Sequence, residues 1–160
     1  MIGTQTEGTR TATIRAADPH EPGATALLRQ SHALMRSLYP AEANSFLSID
    51  ALKAPEIRFF VAEAGGVPCG CGALAIREGY GEVKSIFVAP EARGSGSGAL
   101  LLDAIEAAAR GAGLSRLMLE TGTGLDAAHR LYQRAGFGFC GAFGDYALNP
   151  YSLFMAKPLA

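Results

Sequence analysis

Positive charge is not concentrated anywhere in this 160-residue chain: 14 Lys and Arg stand against 15 Asp and Glu, and no basic block occurs. A phosphate-backbone partner calls for such a block, so nucleic acid is not expected. Long apolar runs are missing as well. No stretch approaches the ~20 residues that span a bilayer, and the opening MIGTQTEGTR lacks the hydrophobic core of a secretory signal. The expectation is a cytoplasmic protein with no membrane partner and a flexible leader over residues 1–10. Cysteine is scarce: Cys69, Cys71 and Cys140 are an odd number. Cys69 and Cys71 fall in a strand-like run where alternate residues point the same way, so they read as reduced, small core residues. No second Cys or His pair stands at zinc spacing, and His20, His32 and His129 are not spaced for a metal. No metal is expected, and the histidines read as surface or boundary residues. Internal repeats and linkers are also lacking, and the length suits one domain, residues 11–160, able to bury a core without staples.

Periodicity supplies the elements. A short strand is expected over residues 11–16, then a helix with Ala26, Leu27, Gln30, Leu34 and Leu38 as its apolar face, ended by Tyr39 and Pro40. A second short helical segment is expected near residues 46–52. Residues 57–64 and 67–77 alternate as strands around a Gly65-Gly66 turn, and a further turn at 79–81 leads into a fourth strand. After a glycine-rich loop, Leu101, Ile105 and Ala108 share a helical face opposite Asp103, Glu106 and Arg110. A fifth strand over 114–120 follows, then a helix over 126–135 stopped by Gly136, and strands over 137–143 and 151–157.

The segment EVKSIFVAPEARGSGSGALLL, residues 82–102, is the most informative. A strand passes through Pro90 and Arg93 into glycines that open a helix. Helix N-termini offer unpaired N–H groups and a positive dipole end, so the stretch reads as a cradle for a phosphorylated ligand. Gly94, Gly96 and Ala99 also satisfy a dinucleotide fingerprint, with Glu120 about 20 residues further on. Context opposes that alternative. A dinucleotide turn follows its strand at once, whereas Ala89, Pro90, Glu91 and Ala92 intervene here, and the chain after Glu120 is short for the rest of a parallel sheet.

Arg93, Gly94, Ser95, Gly96, Ser97 and Gly98 fit R-x-x-G-x-G, and LYQRAGF follows at residues 131–137. Together these motifs resemble the GNAT superfamily of acyl-CoA-dependent N-acetyltransferases, over most of the chain; the tail FGDYALNPYSLFMAKPL resembles a group of small bacterial members. The resemblance implies an α/β fold of the α+β type, a mixed central sheet of about seven strands splayed between the fourth and fifth, with helices on both faces. It implies acetyl-CoA as co-substrate, a primary amine of a small molecule or peptide as acceptor, direct attack in a ternary complex, and a possible homodimer. A non-catalytic acyl-CoA-binding sensor or structural module is the alternative.

By the same resemblance, the loop amides and Arg93 hold the coenzyme A pyrophosphate. Backbone groups of Ile86, Phe87 and Val88 pair with the pantetheine arm, and the N–H of Phe87 or Val88 polarises the thioester carbonyl. Tyr132 matches the proposed general acid for the leaving thiolate. Glu82 is the first candidate for the base, Glu120 or a water chain the alternatives. Leu125 stands where many members carry Asn, which leaves a polar contact to be lost or taken over by Thr123 or Asp126. Residues 32–44, with Tyr39 and Glu42, are placed along the acceptor pocket.

Overall fold

The structure, a computed structural model, describes residues 12–159; the expected leader lies outside them. Seven strands form one sheet: β1 (Thr13–Ala16), β2 (Ile57–Ala64), β3 (Val67–Ile76), β4 (Gly81–Val88), β5 (Arg116–Gly122), β6 (Gly138–Cys140) and β7 (Ser152–Pro158). Their order is β1-β2-β3-β4-β5-β7-β6. All neighbours are antiparallel except β4 and β5, which run parallel and pair only at Gly81 with Leu117 and Glu82 with Met118. Beyond that point the two strands part, so the rest of β4 has no strand on this edge. The sheet is the mixed, splayed one expected.

Helix α1 (Pro22–Leu38) covers one face, and α2 (Ser97–Gly111) with α3 (Asp126–Arg134) covers the other. Leu27 and Leu28 of α1 pack with Phe59, Val61, Ala73 and Phe87 of the sheet; under α2 and α3 lie Leu74, Val83, Leu117, Leu119 and Met155. Leu28, Leu74, Leu101 and Leu117 are at most 1% exposed, and each contributes about 1.5–3 kcal/mol by leaving water. Strand alternation then sets the polar map. With Val83 and Leu119 facing α2 and α3, their neighbours Glu82, Lys84 and Glu120 face the α1 side.

Expectations change at several places; β6, for one, is confined to Gly138–Cys140, short of the expected 137–143. The buried side of α1 is Ala24, Leu27, Leu28, Ser31 and His32, while Ala26 and Gln30 are exposed and Leu38 is 49% exposed. The face is rotated because it carries two polar residues, each of which lines a cavity. His32 is therefore buried, and not a surface residue. Residues 46–52 do not form a helix either. Single 3₁₀ turns at Ala41–Ala43 and Ala51–Lys53 flank an irregular stretch whose groups are used elsewhere: the Ser45 carbonyl accepts from Lys84 Nζ at 3.0 Å, and Ser48 Oγ accepts from the Ala51 N–H at 3.0 Å.

Candidate active site

The glycine loop is held by its own turns. A 3₁₀ turn at Pro90–Ala92 leads to Arg93, and Gly94 and Gly96 take φ of +83° and +89°, which L side chains rarely adopt. The Arg93 N–H donates to the Pro90 carbonyl and the Ser95 N–H to the Ala92 carbonyl, so these two amides are engaged. Those of Gly94, Gly96, Gly98 and Ala99 have no backbone acceptor among the described residues. Arg93 folds back, its Nε donating to the Val88 carbonyl at 3.2 Å with the guanidinium 5.9 Å from the centre of the Phe87 ring. Ser97 is buried, its Oγ 2.8 Å from Ser95 Oγ. Gly98 serves packing: a Cβ there would come within 2.8 Å of Leu131 on α3.

A cleft of about 150 Å³ opens where β4 and β5 part. Ser85 and Ile86 of β4, Glu120 and Gly122 of β5, and Leu125 and Tyr132 line it, and Ser31 and Met35 of α1 close it together with Tyr39 just past the helix end. Ser85 is at φ +59°, an unusual position for a residue other than glycine, and the pairing of β3 with β4 shifts register beside it. A bulge of this kind bends a strand, here at the point where β4 leaves β5. Its Oγ is buried without a partner. Nothing in the sequence marks Ser85, since serine is unremarkable in a strand.

The two candidate bases differ sharply in their surroundings. Glu82 is 3% exposed, and both carboxylate oxygens are occupied: Oε1 accepts from Arg77 Nε at 3.1 Å, and Oε2 accepts from the Tyr146 hydroxyl with Lys84 Nζ 3.6 Å away. Lys84 in turn donates to Tyr146 Oη at 2.8 Å. Glu82 is not among the residues lining the cleft. Glu120 is, and it accepts one hydrogen bond, from Ser152 Oγ at 2.7 Å to Oε2. Burial lifts its pKa above the usual carboxylate value, against smaller downward pulls from Ser152 and Lys84.

Tyr132 enters the cleft from α3, on the opposite side of the sheet from Glu120. It is 8% exposed, its hydroxyl has no hydrogen-bond partner among the described residues, and burial, then the Glu120 charge, push its pKa up to about 12. The hydroxyl therefore stays protonated through the physiological range. The loop after β5 is held by Tyr39 Oη donating to the Thr123 carbonyl at 2.7 Å, by the Thr123 N–H donating to the Tyr151 carbonyl at 2.9 Å, and by His129 Nε2 at 2.9 Å from the Gly122 carbonyl. Of residues 32–44, Met35, Tyr39, Ala43 and Asn44 reach the cleft, and the exposed Glu42 does not line it. Among the described residues there is no cluster of three or more potential metal ligands, all three cysteines are free, and no helix is long and apolar enough to cross a membrane.

The family model described as "Acetyltransferase (GNAT) family" matches residues 24–137, which include α1, the glycine loop, the cleft and LYQRAGF. An IAA acetyltransferase of Azospirillum brasilense is 46% identical over 149 residues, covering 92% of this chain and 97% of the relative. An uncharacterized N-acetyltransferase of Escherichia coli strain K12 is 35% identical over 92% of this chain and 94% of its own length. A solved Klebsiella pneumoniae structure, classed as an acyl-CoA N-acyltransferase, superposes with a TM-score of 0.78 at 33% identity, over 93% of this chain and 98% of that one. Motifs, splayed sheet and relatives agree: the chain belongs to the GNAT acetyltransferase family and is an acyltransferase.

Proposed function

We propose that this acyltransferase moves the acetyl group of acetyl-CoA to a primary amine of a small molecule or peptide, by direct attack in a ternary complex. The observation that carries this reading is the unpaired gap between β4 and β5 with an acid on one side and a phenol on the other. Acetyl-CoA is a substrate, and the groups suited to it are on the α2 and α3 side. The free amides of Gly94, Gly96, Gly98 and Ala99 at the start of α2 match a pyrophosphate. Arg93 is tied to the end of β4 and supplies charge beside them. The unpaired edge of β4 at Ile86, Phe87 and Val88 offers main-chain partners to the pantetheine amides, and one N–H of Phe87 or Val88 polarises the thioester carbonyl.

The amine approaches from the α1 side. Glu120, with one carboxylate oxygen uncommitted and a raised proton affinity, takes the proton from the attacking nitrogen directly or through a water. A C–N bond forms at the carbonyl carbon and the C–S bond breaks. The thiolate receives a proton or hydrogen bond from Tyr132, whose hydroxyl is protonated and uncommitted. Glu82 has a supporting part: its ion pairs with Arg77 and Lys84 fix the point from which the strands diverge. Leu125 presents an apolar side chain to the cleft. The test is thiol release from acetyl-CoA across a panel of primary amines. Release that depends on an amine, with the acetyl group recovered on nitrogen, supports the reading; coenzyme A binding without acetylation of any amine returns the sensor alternative.

A further inference from the structure

A second cavity lies on the other flank of α1. Arg29, His32 and Arg36, spaced three and four residues apart, form one row along the helix, and Phe46, Ser48 and Ile49 form the facing wall. The cavity, about 780 Å³ and open to solvent, shares only Phe46 with the cleft between β4 and β5. The Phe46 ring is stacked on the His32 imidazole, centroids 4.2 Å apart and planes 14° from parallel, and the Arg36 guanidinium is 5.4 Å from the centre of the same ring.

The groups in this cavity are unequally satisfied. Its acid, Asp50, is paired with His20 at 2.7 Å, whereas neither Arg29 nor Arg36 has an ion-pair partner among the described residues. His32 is 7% exposed, and its Nε2 is buried with no hydrogen-bond partner. Burial holds the ring below its ordinary pKa, the Arg36 charge adds to this, and the Leu47 backbone pulls weakly the other way. Two uncommitted guanidinium groups and an unsatisfied imidazole, set against Phe46 and Ile49, complement an anion on an apolar body.

We propose that this groove is a binding site for a carboxylate carried on an aromatic or branched aliphatic body, with Arg29 and Arg36 holding the carboxylate, His32 at the floor and Phe46 and Ile49 against the body. The site is separate from the acetyl-transfer chemistry and stands whether or not that chemistry is correct. A bound carboxylate would oppose the Arg36 charge that helps hold His32 down, and so raise the His32 pKa and take up a proton; Arg29, His20 and Asp50 are the other charged or titratable groups lining the cavity. The experiment follows the His32 imidazole resonances by NMR while the full chain is titrated with benzoate, with neutral benzamide and with inorganic phosphate. Expected are saturable shifts with benzoate, a higher His32 titration midpoint when it is bound, and little response to benzamide or phosphate. Arg29→Gln and Arg36→Gln, both at exposed positions, should each weaken benzoate by about tenfold while thermal stability stays unchanged. Non-saturable shifts, an equal response to benzamide, phosphate binding as tightly as benzoate, or unaltered affinity in both variants would overturn the proposal.

Discussion

Replacing each candidate base with its neutral amide separates a chemical role from a structural one. Glu120→Gln keeps shape and an acceptor for Ser152 Oγ, so no hydrogen bond need be lost. Folding should not suffer. A carboxyl whose folded pKa is raised loses stability for the fold as pH climbs past its unfolded value, and burial makes Glu120 such a group. Near pH 7 the ionised Glu120 is a small liability that the amide removes, so the melting temperature should hold or rise. Turnover should fall about 10²- to 10⁴-fold, the usual contribution of a positioned base, and the acid limb of the kcat/KM profile, centred above the usual carboxylate value, should vanish. Glu82→Gln predicts the opposite pattern. Its side chain is 4% exposed and Lys84 8%, so the change strands a buried cation at a cost of about 3–5 kcal/mol. That lowers the melting temperature by on the order of 10 °C. Activity should persist at temperatures where the variant is folded. Circular dichroism melts paired with thiol-release kinetics make the comparison. Near-normal turnover in Glu120→Gln, with turnover lost in a stably folded Glu82→Gln, would refute the assignment of the base.

Three further changes test other parts of the site. Tyr132→Phe should lower kcat on the order of 10²-fold or more with coenzyme A affinity little changed, and unchanged turnover would remove Tyr132 as the acid. Gly96→Val has room for its side chain but not the φ of +89°; strain of about 1–2 kcal/mol and a displaced amide should weaken coenzyme A in calorimetry, and equal affinity would sink the cradle. Gly122→Ala places a Cβ inside the van der Waals surface of the Tyr39 ring, so Tyr39 must leave the Thr123 carbonyl at about 1–3 kcal/mol. Combining it with Tyr39→Ala should recover part of that loss, and strict additivity of the two changes would show that the contact does not carry the cost.

Elements whose apolar pattern serves only packing were legible in the sequence. β2 spans the expected 57–64, and Leu101 and Ile105 of α2 are fully buried as their spacing indicates. The pattern fails where polar side chains turn inward. Ser31 and His32 turn inward on α1 because each lines a cavity, which rotates the apparent apolar face. The fifth strand lies at Arg116–Gly122, two residues beyond the expected 114–120: the Leu114 N–H is still taken by the Ala109 carbonyl at the end of α2, and pairing with β7 runs on to Gly122. The motifs singled out the glycine loop and Tyr132, yet could not separate Gly94 and Gly96, needed for their φ, from Gly98, needed for clearance to Leu131. Position in a motif also favoured Glu82 over Glu120. What distinguishes them is Tyr146, 64 residues along the chain, which closes the Glu82 network and could not be paired with it from local pattern.

The gap between β4 and β5 is the proposed meeting place of coenzyme A and the acceptor. A crystal structure with coenzyme A bound tests it directly. Expected are the pyrophosphate within about 3 Å of the amides of Gly94, Gly96 and Gly98, the pantetheine along Ile86 to Val88, and the sulfur within about 4 Å of the Tyr132 hydroxyl. Coenzyme A bound elsewhere, or a thiol on the far side of the sheet from Tyr132, would contradict it.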